Sequence, residues 1–175
     1  RVYVGTPENA DDNRRIRDGI SSGLQGLCFT SPEAACGSLR TALLRAAQKG
    51  VLHTIVVDEA HMVDSWGSNF RPYFQLLAGL RREMLALAPS GSQPRTMLLS
   101  ATITPAALST LRALFGTDPD GNSTPFGLFG GVRLRPEIEL WPTAASTVAE
   151  QEERVLEALR HLPRPAILYV TRVQS

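Results

Sequence analysis

Leu52-His53-Thr54-Ile55-Val56-Val57-Asp58-Glu59-Ala60-His61 sets both the fold class and the chemistry of this chain. Residues 51–57 are apolar and rich in β-branched side chains, which suits a buried parallel strand. Adjacent carboxylates at the end of such a strand lie at the carboxyl edge of the sheet, where open α/β folds bind their ligands. Two acids there suit magnesium-nucleotide hydrolysis, with Asp58 holding the metal and Glu59 orienting or deprotonating the attacking water. The competing reading is an acidic helix start, since Asp and Glu favour the positive end of a helix. From average residue usage the tetrad Asp58 to His61 should arise by chance about one time in a thousand in a chain of this length. Its surroundings decide between the two readings.

Outward from this strand, the pattern alternates β and α. Residues 1–5 read as a short strand, residues 13–20 as a weak helix with Ile16 and Ile20 on one face, and residues 24–30 as a second strand. Ser31 is placed as an N-cap with Pro32 in the first helical position and Glu33 at the positive helix end. Leu39, Leu43, Ala46 and Ala47 then repeat at helical spacing up to a Lys49-Gly50 stop. Beyond the central strand, Leu76, Leu77, Leu80, Met84 and Leu87 predict a helix with Arg81 and Arg82 on its polar side. Residues 96–100 read as a strand, and Thr104-Pro105 opens a helix bearing Leu108, Leu111, Leu114 and Phe115. Strands alternating with helices predict an α/β fold, a parallel sheet with right-handed crossovers and helices on both faces.

A composition shift then marks a boundary. Residues 116–131 contain five Gly, two Pro and three Asp or Asn, a loop rather than an element. Residues 133–140 read as a linker strand, residues 150–162 as an amphipathic helix with Val155, Leu156 and Leu159 inward, and residues 166–170 as an apolar strand followed by Thr171-Arg172. No repeat or low-complexity tract occurs.

The flanking motifs carry a family resemblance. Asp58-Glu59-Ala60-His61 and the following stretch, Met62 to Pro72 with Trp66, Phe70 and Arg71, resemble the DEAH box and aromatic-rich loop of RecQ-type DNA helicases. Leu99-Ser100-Ala101-Thr102 resembles the Ser-Ala-Thr motif of superfamily 2 helicases, and Thr30-Ser31-Pro32-Glu33 the nucleic-acid-contacting motif of their first motor domain. Arg135-Pro136-Glu137-Ile138 is similar to the entry of the second motor domain, and Thr171-Arg172 to that domain's first motif. The resemblance spans residues 24–175 and rests on motif order, which is far more specific than any one motif. It implies a RecA-like fold of the P-loop NTPase type. Residues 1–132 would be part of the first ATP-binding domain, and residues 133–175 the linker and the start of the second. It also implies ATP and Mg2+ as cofactors, DNA as partner (single-stranded, or duplex with a single-stranded tail), and 3′–5′ movement. Ser-Pro-Glu and Trp-Gly-x-x-Phe-Arg-Pro as written here leave room for a divergent bacterial branch linked to DNA modification or defence, DpdF-like in character.

Within that resemblance Asp58 holds magnesium, Glu59 places the lytic water, and His61 passes the state of the γ-phosphate toward the nucleic acid. A lone His is otherwise a structural hydrogen-bonder. Ser100 and Thr102 offer hydroxyls to the carboxylates beyond a buried strand; their competing role is to cap the helix at Pro105, for which Thr104 also serves. Trp66, Phe70 and Arg71 suit base stacking and phosphate contact, or else pin a loop into the core. Thr30 and Ser31 suit phosphate contact, and Ser31 equally a cap. Ser68-Asn69 replaces the His-Asp usual in the family, which removes an ionisable pair from DNA sensing.

Composition narrows the classes further. The chain has 175 residues, 43% hydrophobic and 20% charged, with net charge +1. One compact domain with a real core is expected, and there is no global electrostatic case for nucleic acid. Cys28 and Cys36 are too few for a zinc or disulfide framework and read as core thiols of a cytoplasmic protein. No apolar run reaches the length of a membrane span. The phosphate-cradling G-x-x-x-x-G-K-[ST] loop is missing, and Lys49 is the one lysine. A motor of this family is expected to carry that loop before Arg1 and its arginine finger after Ser175. The rival from another class is a non-catalytic nucleic-acid-binding scaffold; a metal hydrolase built on Asp58, Glu59 and His61 lacks a further ligand cluster.

Overall fold

The computed structural model describes residues 1–3, 9–64, 72–131 and 142–169. They divide into two compact units, Arg1–Leu128 and Phe129–Ser175. In the first, α1 (Ala10–Ser22) begins with Asp11 and Asp12, whose charge suits the positive helix end, and buries Ile16 and Ile20. It stops at Gly23, whose φ of 78° is left-handed and whose absent Cβ would lie 2.9 Å from Val51 Cβ, so glycine is required twice over.

The expected strand over 24–30 contracts to one parallel bridge, Val2 to Phe29. The Leu24 and Gln25 amides are occupied with the Gly19 carbonyl at the end of α1, and Leu24 and Leu27 stay exposed. These residues cannot join a ladder while they close a helix. The helix expected from Ser31 to Lys49 is two helices, α2 (Pro32–Cys36) and α3 (Arg40–Gln48), broken at Gly37. A Cβ at Gly37 would come within 3.0 Å of the Glu33 carbonyl that accepts its N–H.

β1 (Thr54–Val57) pairs in parallel with β2 (Arg95–Leu98), Thr54 opposite Arg95 and Val57 opposite Leu98. The crossover between them holds a short 3-10 turn (Ala60–Asp64) and α4 (Tyr73–Leu87), and α5 (Pro105–Phe115) follows β2. Thr104 caps α5 by accepting the Ala107 N–H at 3.0 Å. Two cores result. One gathers Val57, Val63, Phe74, Met84, Leu111 and Phe115 around the sheet, and the other packs Ile16 and Ile20 of α1 on Leu39, Ala42 and Ala46. One face of the strand pair is covered. The other, with Val56 and Met97 paired across the strands, is exposed among the described residues, against the expectation of helices on both faces. On that face Val56 and Met97 keep 53% and 52% of their surface exposed. Cys28 and Cys36 are free thiols at the rims of the two cores, and partial burial pushes both above the ordinary thiol range. No described helix is long and apolar enough to cross a membrane.

Arg81 corrects the sequence reading. It is 7% exposed rather than on a polar face, with Nε donating to Thr96 Oγ1 and Nη1 to the Thr117 carbonyl, both at 2.8 Å. Phe74, Leu77, Ala78, Arg81 and Met84 form one buried stripe, so helical spacing puts the guanidinium inward. Burial lowers its basicity, and neighbouring Arg82 adds to this. Arg81→Met keeps the apolar stem but strands a hydroxyl and a carbonyl, each costing about 1–3 kcal/mol. Its thermal melt should fall by roughly 2–4 °C per kcal/mol lost; an unchanged melt would reduce the bonds to surface contacts.

The second unit contains α6 (Val148–His161), capped by Thr147, which accepts the Glu150 N–H at 3.1 Å. Glu150 in turn accepts the Ser146 N–H at 2.8 Å and the Arg154 guanidinium. Val155 and Leu159 are half-buried on one stripe, but Leu156 is exposed, so the inward face is narrower than expected. Leu156 lies about 100° round the helix from Val155 and off that stripe. Residues 166–169 form no strand, and Ile167 and Tyr169 are exposed. A strand exists only by pairing, and no described segment offers them a partner.

Candidate functional site

The parallel register brings the ends of β1 and β2 to one edge, so Asp58 and Ser100 arrive as neighbours. Leu99 fixes the join. Its N–H donates to the Val57 carbonyl at 2.8 Å and its carbonyl accepts from Ala60 N–H at 2.9 Å. A regular parallel ladder bonds one residue to two residues two apart on its partner; here they are three apart. Asp58 and Glu59 therefore stand opposite Leu99 as a bulge, one residue longer than the partner strand. Glu59 absorbs the extra residue with a φ of 51°, left-handed and uncommon for a side chain with a Cβ. The bulge breaks the alternation that would send adjacent strand side chains to opposite faces, and both carboxylates are exposed.

Asp58 Oδ1 accepts the Glu59 N–H at 2.9 Å. The Glu59 carbonyl accepts the Met62 N–H at 3.0 Å and starts the 3-10 turn that carries His61. Ala60 and Val63 of that turn are buried, and the turn packs on α5, which holds the imidazole at a set height above the edge.

His61 joins the two motifs. Its Nδ1 lies 3.2 Å from Glu59 Oε2 and 3.1 Å from Ser100 Oγ. Hydroxyl chemistry assigns the proton. Ser100 donates its single O–H to the Thr102 carbonyl and accepts the Thr102 N–H at 3.3 Å. Its remaining role toward His61 is acceptor, so Nδ1 carries a proton shared between the serine oxygen and the Glu59 carboxylate.

The structure thus brings Asp58, Glu59, His61, Ser100 and Thr102 together, with two changes from expectation. Ser100 bonds the imidazole rather than a carboxylate, because the bulge puts His61 between them. Thr102 takes part through its backbone, and its hydroxyl has no hydrogen bond among the described residues. Neither caps α5, which Thr104 does. Thr30 and Ser31 are exposed at the start of α2, where Ser31 Oγ accepts the Ala34 N–H at 3.3 Å in the capping role. Trp66, Phe70, Arg71, Thr171 and Arg172 lie outside the described residues.

Among the described residues no three His, Cys, Asp or Glu stand together to hold a metal ion. Magnesium carried by a nucleotide asks less of the protein, one or two carboxylates beside phosphates and water. Asp58, exposed, with hard oxygen donors, fits that role, and there the ion would polarise the phosphate oxygens.

No family model matches the chain. Relatives do. An ATP-dependent helicase SGS1 of Saccharomyces cerevisiae is 36% identical over 91 residues, 48% of this chain and 6% of the relative. A probable ATP-dependent DNA helicase RecS of Bacillus subtilis is 29% identical over 147 residues, 81% of this chain and 25% of the relative. An ATP-dependent DNA helicase Q5 of Mus musculus is 40% identical over 80 residues, 45% of this chain and 7% of the relative. The chain therefore spans a quarter or less of the length of these relatives. Over these stretches the chain is similar to ATP-dependent helicases, and further relatives are named RecQ-like DNA helicase blm-1 of Caenorhabditis elegans and ATP-dependent DNA helicase RecQ of Pasteurella multocida.

Proposed function

We propose that this chain is part of the motor of an ATP-dependent DNA helicase or translocase. In this reading residues 1–132 belong to a RecA-like ATP-binding domain, and residues 133–175 are the linker and the start of a second one. The observation that carries it is the His61 imidazole, held at once by Glu59 and Ser100. That bond pattern links a candidate hydrolytic carboxylate to the segment after β2, so a change at one is felt at the other. Asp58 holds the magnesium of ATP, Glu59 orients the lytic water, and His61 with Ser100 relays the state of the site. Trp66, Phe70 and Arg71 take the single strand by stacking and phosphate contact, with Thr30, Ser31, Thr171 and Arg172 as further DNA contacts.

ATP turnover of the intact protein, measured with and without single-stranded DNA, tests this. Stimulation by DNA is expected. No turnover in either condition, with DNA binding retained, would favour the non-catalytic scaffold. The aromatic loop adds a sharper test. Loss of a stacked base or phosphate contact is worth about 1–3 kcal/mol, so Trp66→Ala and Arg71→Ala should each lower the stimulation by roughly 5- to 150-fold. Full stimulation in Arg71→Ala together with an unfolded Trp66→Ala would make the loop a packing device.

A further inference from the structure

We propose that the Asp58-Glu59 bulge is a backbone hinge that stores the Glu59 carboxylate on His61 and releases it when Asp58 turns toward a magnesium nucleotide. It rests on the nucleotide reading above. Three observations converge. Glu59 has a φ of 51°, a conformation that disfavours any residue with a Cβ. Its N–H is occupied by Asp58 Oδ1 at 2.9 Å, so the group expected to meet the metal also stabilises this backbone. Its carboxylate sits 3.2 Å from His61 Nδ1, turned to the relay.

These contacts depend on one another. A carboxylate committed to His61 is not free to orient water, and Asp58 Oδ1 committed to an amide is not free for a cation. When Asp58 rotates outward, the Glu59 amide loses its acceptor and the left-handed conformation loses its support. The flanking bonds of Leu99 to Val57 and Ala60, at 2.8 and 2.9 Å, are independent of both side chains. They hold the ends of the bulge while residues 58 and 59 move between them, as a hinge requires.

Two measurements on the intact protein test the hinge. Thermal melts compare Glu59→Gly with Glu59→Ala, both of which lose the carboxylate and differ only in the backbone. At an ordinary strand or helix position alanine is the more stable; at a left-handed one glycine is. Glycine is expected to melt higher, by roughly 2–4 °C, and an equal or lower melt overturns the proposal. The second measurement follows the ring nitrogens of 15N-labelled histidine during titration with magnesium and a non-hydrolysable ATP analogue, with binding measured in parallel. The His61 Nδ1 signal is expected to shift in step with binding as Glu59 departs. Binding with an unmoved His61 signal overturns the hinge and leaves the nucleotide reading standing. No binding at all overturns both.

Discussion

Glu59→Gln in the intact protein is expected to lose about 10²-fold or more of its ATP turnover, because a positioned general base contributes on that order. The substitution is a clean one here. Glutamine keeps the length of the side chain, and its amide oxygen still accepts the His61 Nδ1 proton that Glu59 Oε2 takes at 3.2 Å. His61 therefore stays on Ser100, and what is removed is the charge and the basic lone pair. Nucleotide binding should persist, since Asp58 is untouched. Steady-state turnover beside equilibrium binding of a magnesium–ATP analogue separates the two effects. Turnover near that of the parent protein would leave Glu59 as an acid at the head of the 3-10 turn with no part in hydrolysis.

Leu111→Ala should be the most damaging single truncation for stability, at about 2–5 kcal/mol. Leu111 is 1% exposed, in the middle of α5 within the core that includes Ala60, Val63 and Phe74. Truncation leaves a cavity under the 3-10 turn that carries His61, and a parallel strand pair with one exposed face has little else to close it. A fall of roughly 4–20 °C in melting temperature is expected. The half-buried Leu108, on the same helix, is the comparison.

Leu108→Ala should therefore cost less than Leu111→Ala, though more than nothing.

Much of this protein is legible along the chain. Local signals placed α1, α4, β1, β2 and α5 near their observed bounds, because each depends on spacing and caps that neighbours in sequence supply. Ser31-Pro32 and Thr104-Pro105 announce helix starts and act as such. The motif residues Asp58, Glu59, His61 and Ser100 can be named from the sequence, and the similarity to ATP-dependent helicases agrees with the resemblance that the motifs carry. The inward place of Arg81 is legible too, in its helical spacing with Leu77 and Met84, although its charge points the other way.

Tertiary structure decided the rest. Strands over 24–30 and 166–170 have the right composition, yet a strand is made by hydrogen bonds to another segment, and sequence cannot supply the partner. The link between Glu59, His61 and Ser100 is of the same kind. It depends on the parallel register of β1 with β2, and on a two-for-one bulge that forces Glu59 to a φ of 51°. Residue identity determined which groups are available for chemistry. Only the pairing of two strands distant in sequence determined that one imidazole proton lies between a carboxylate and a hydroxyl, because that position is fixed by bonds across the sheet rather than along the chain.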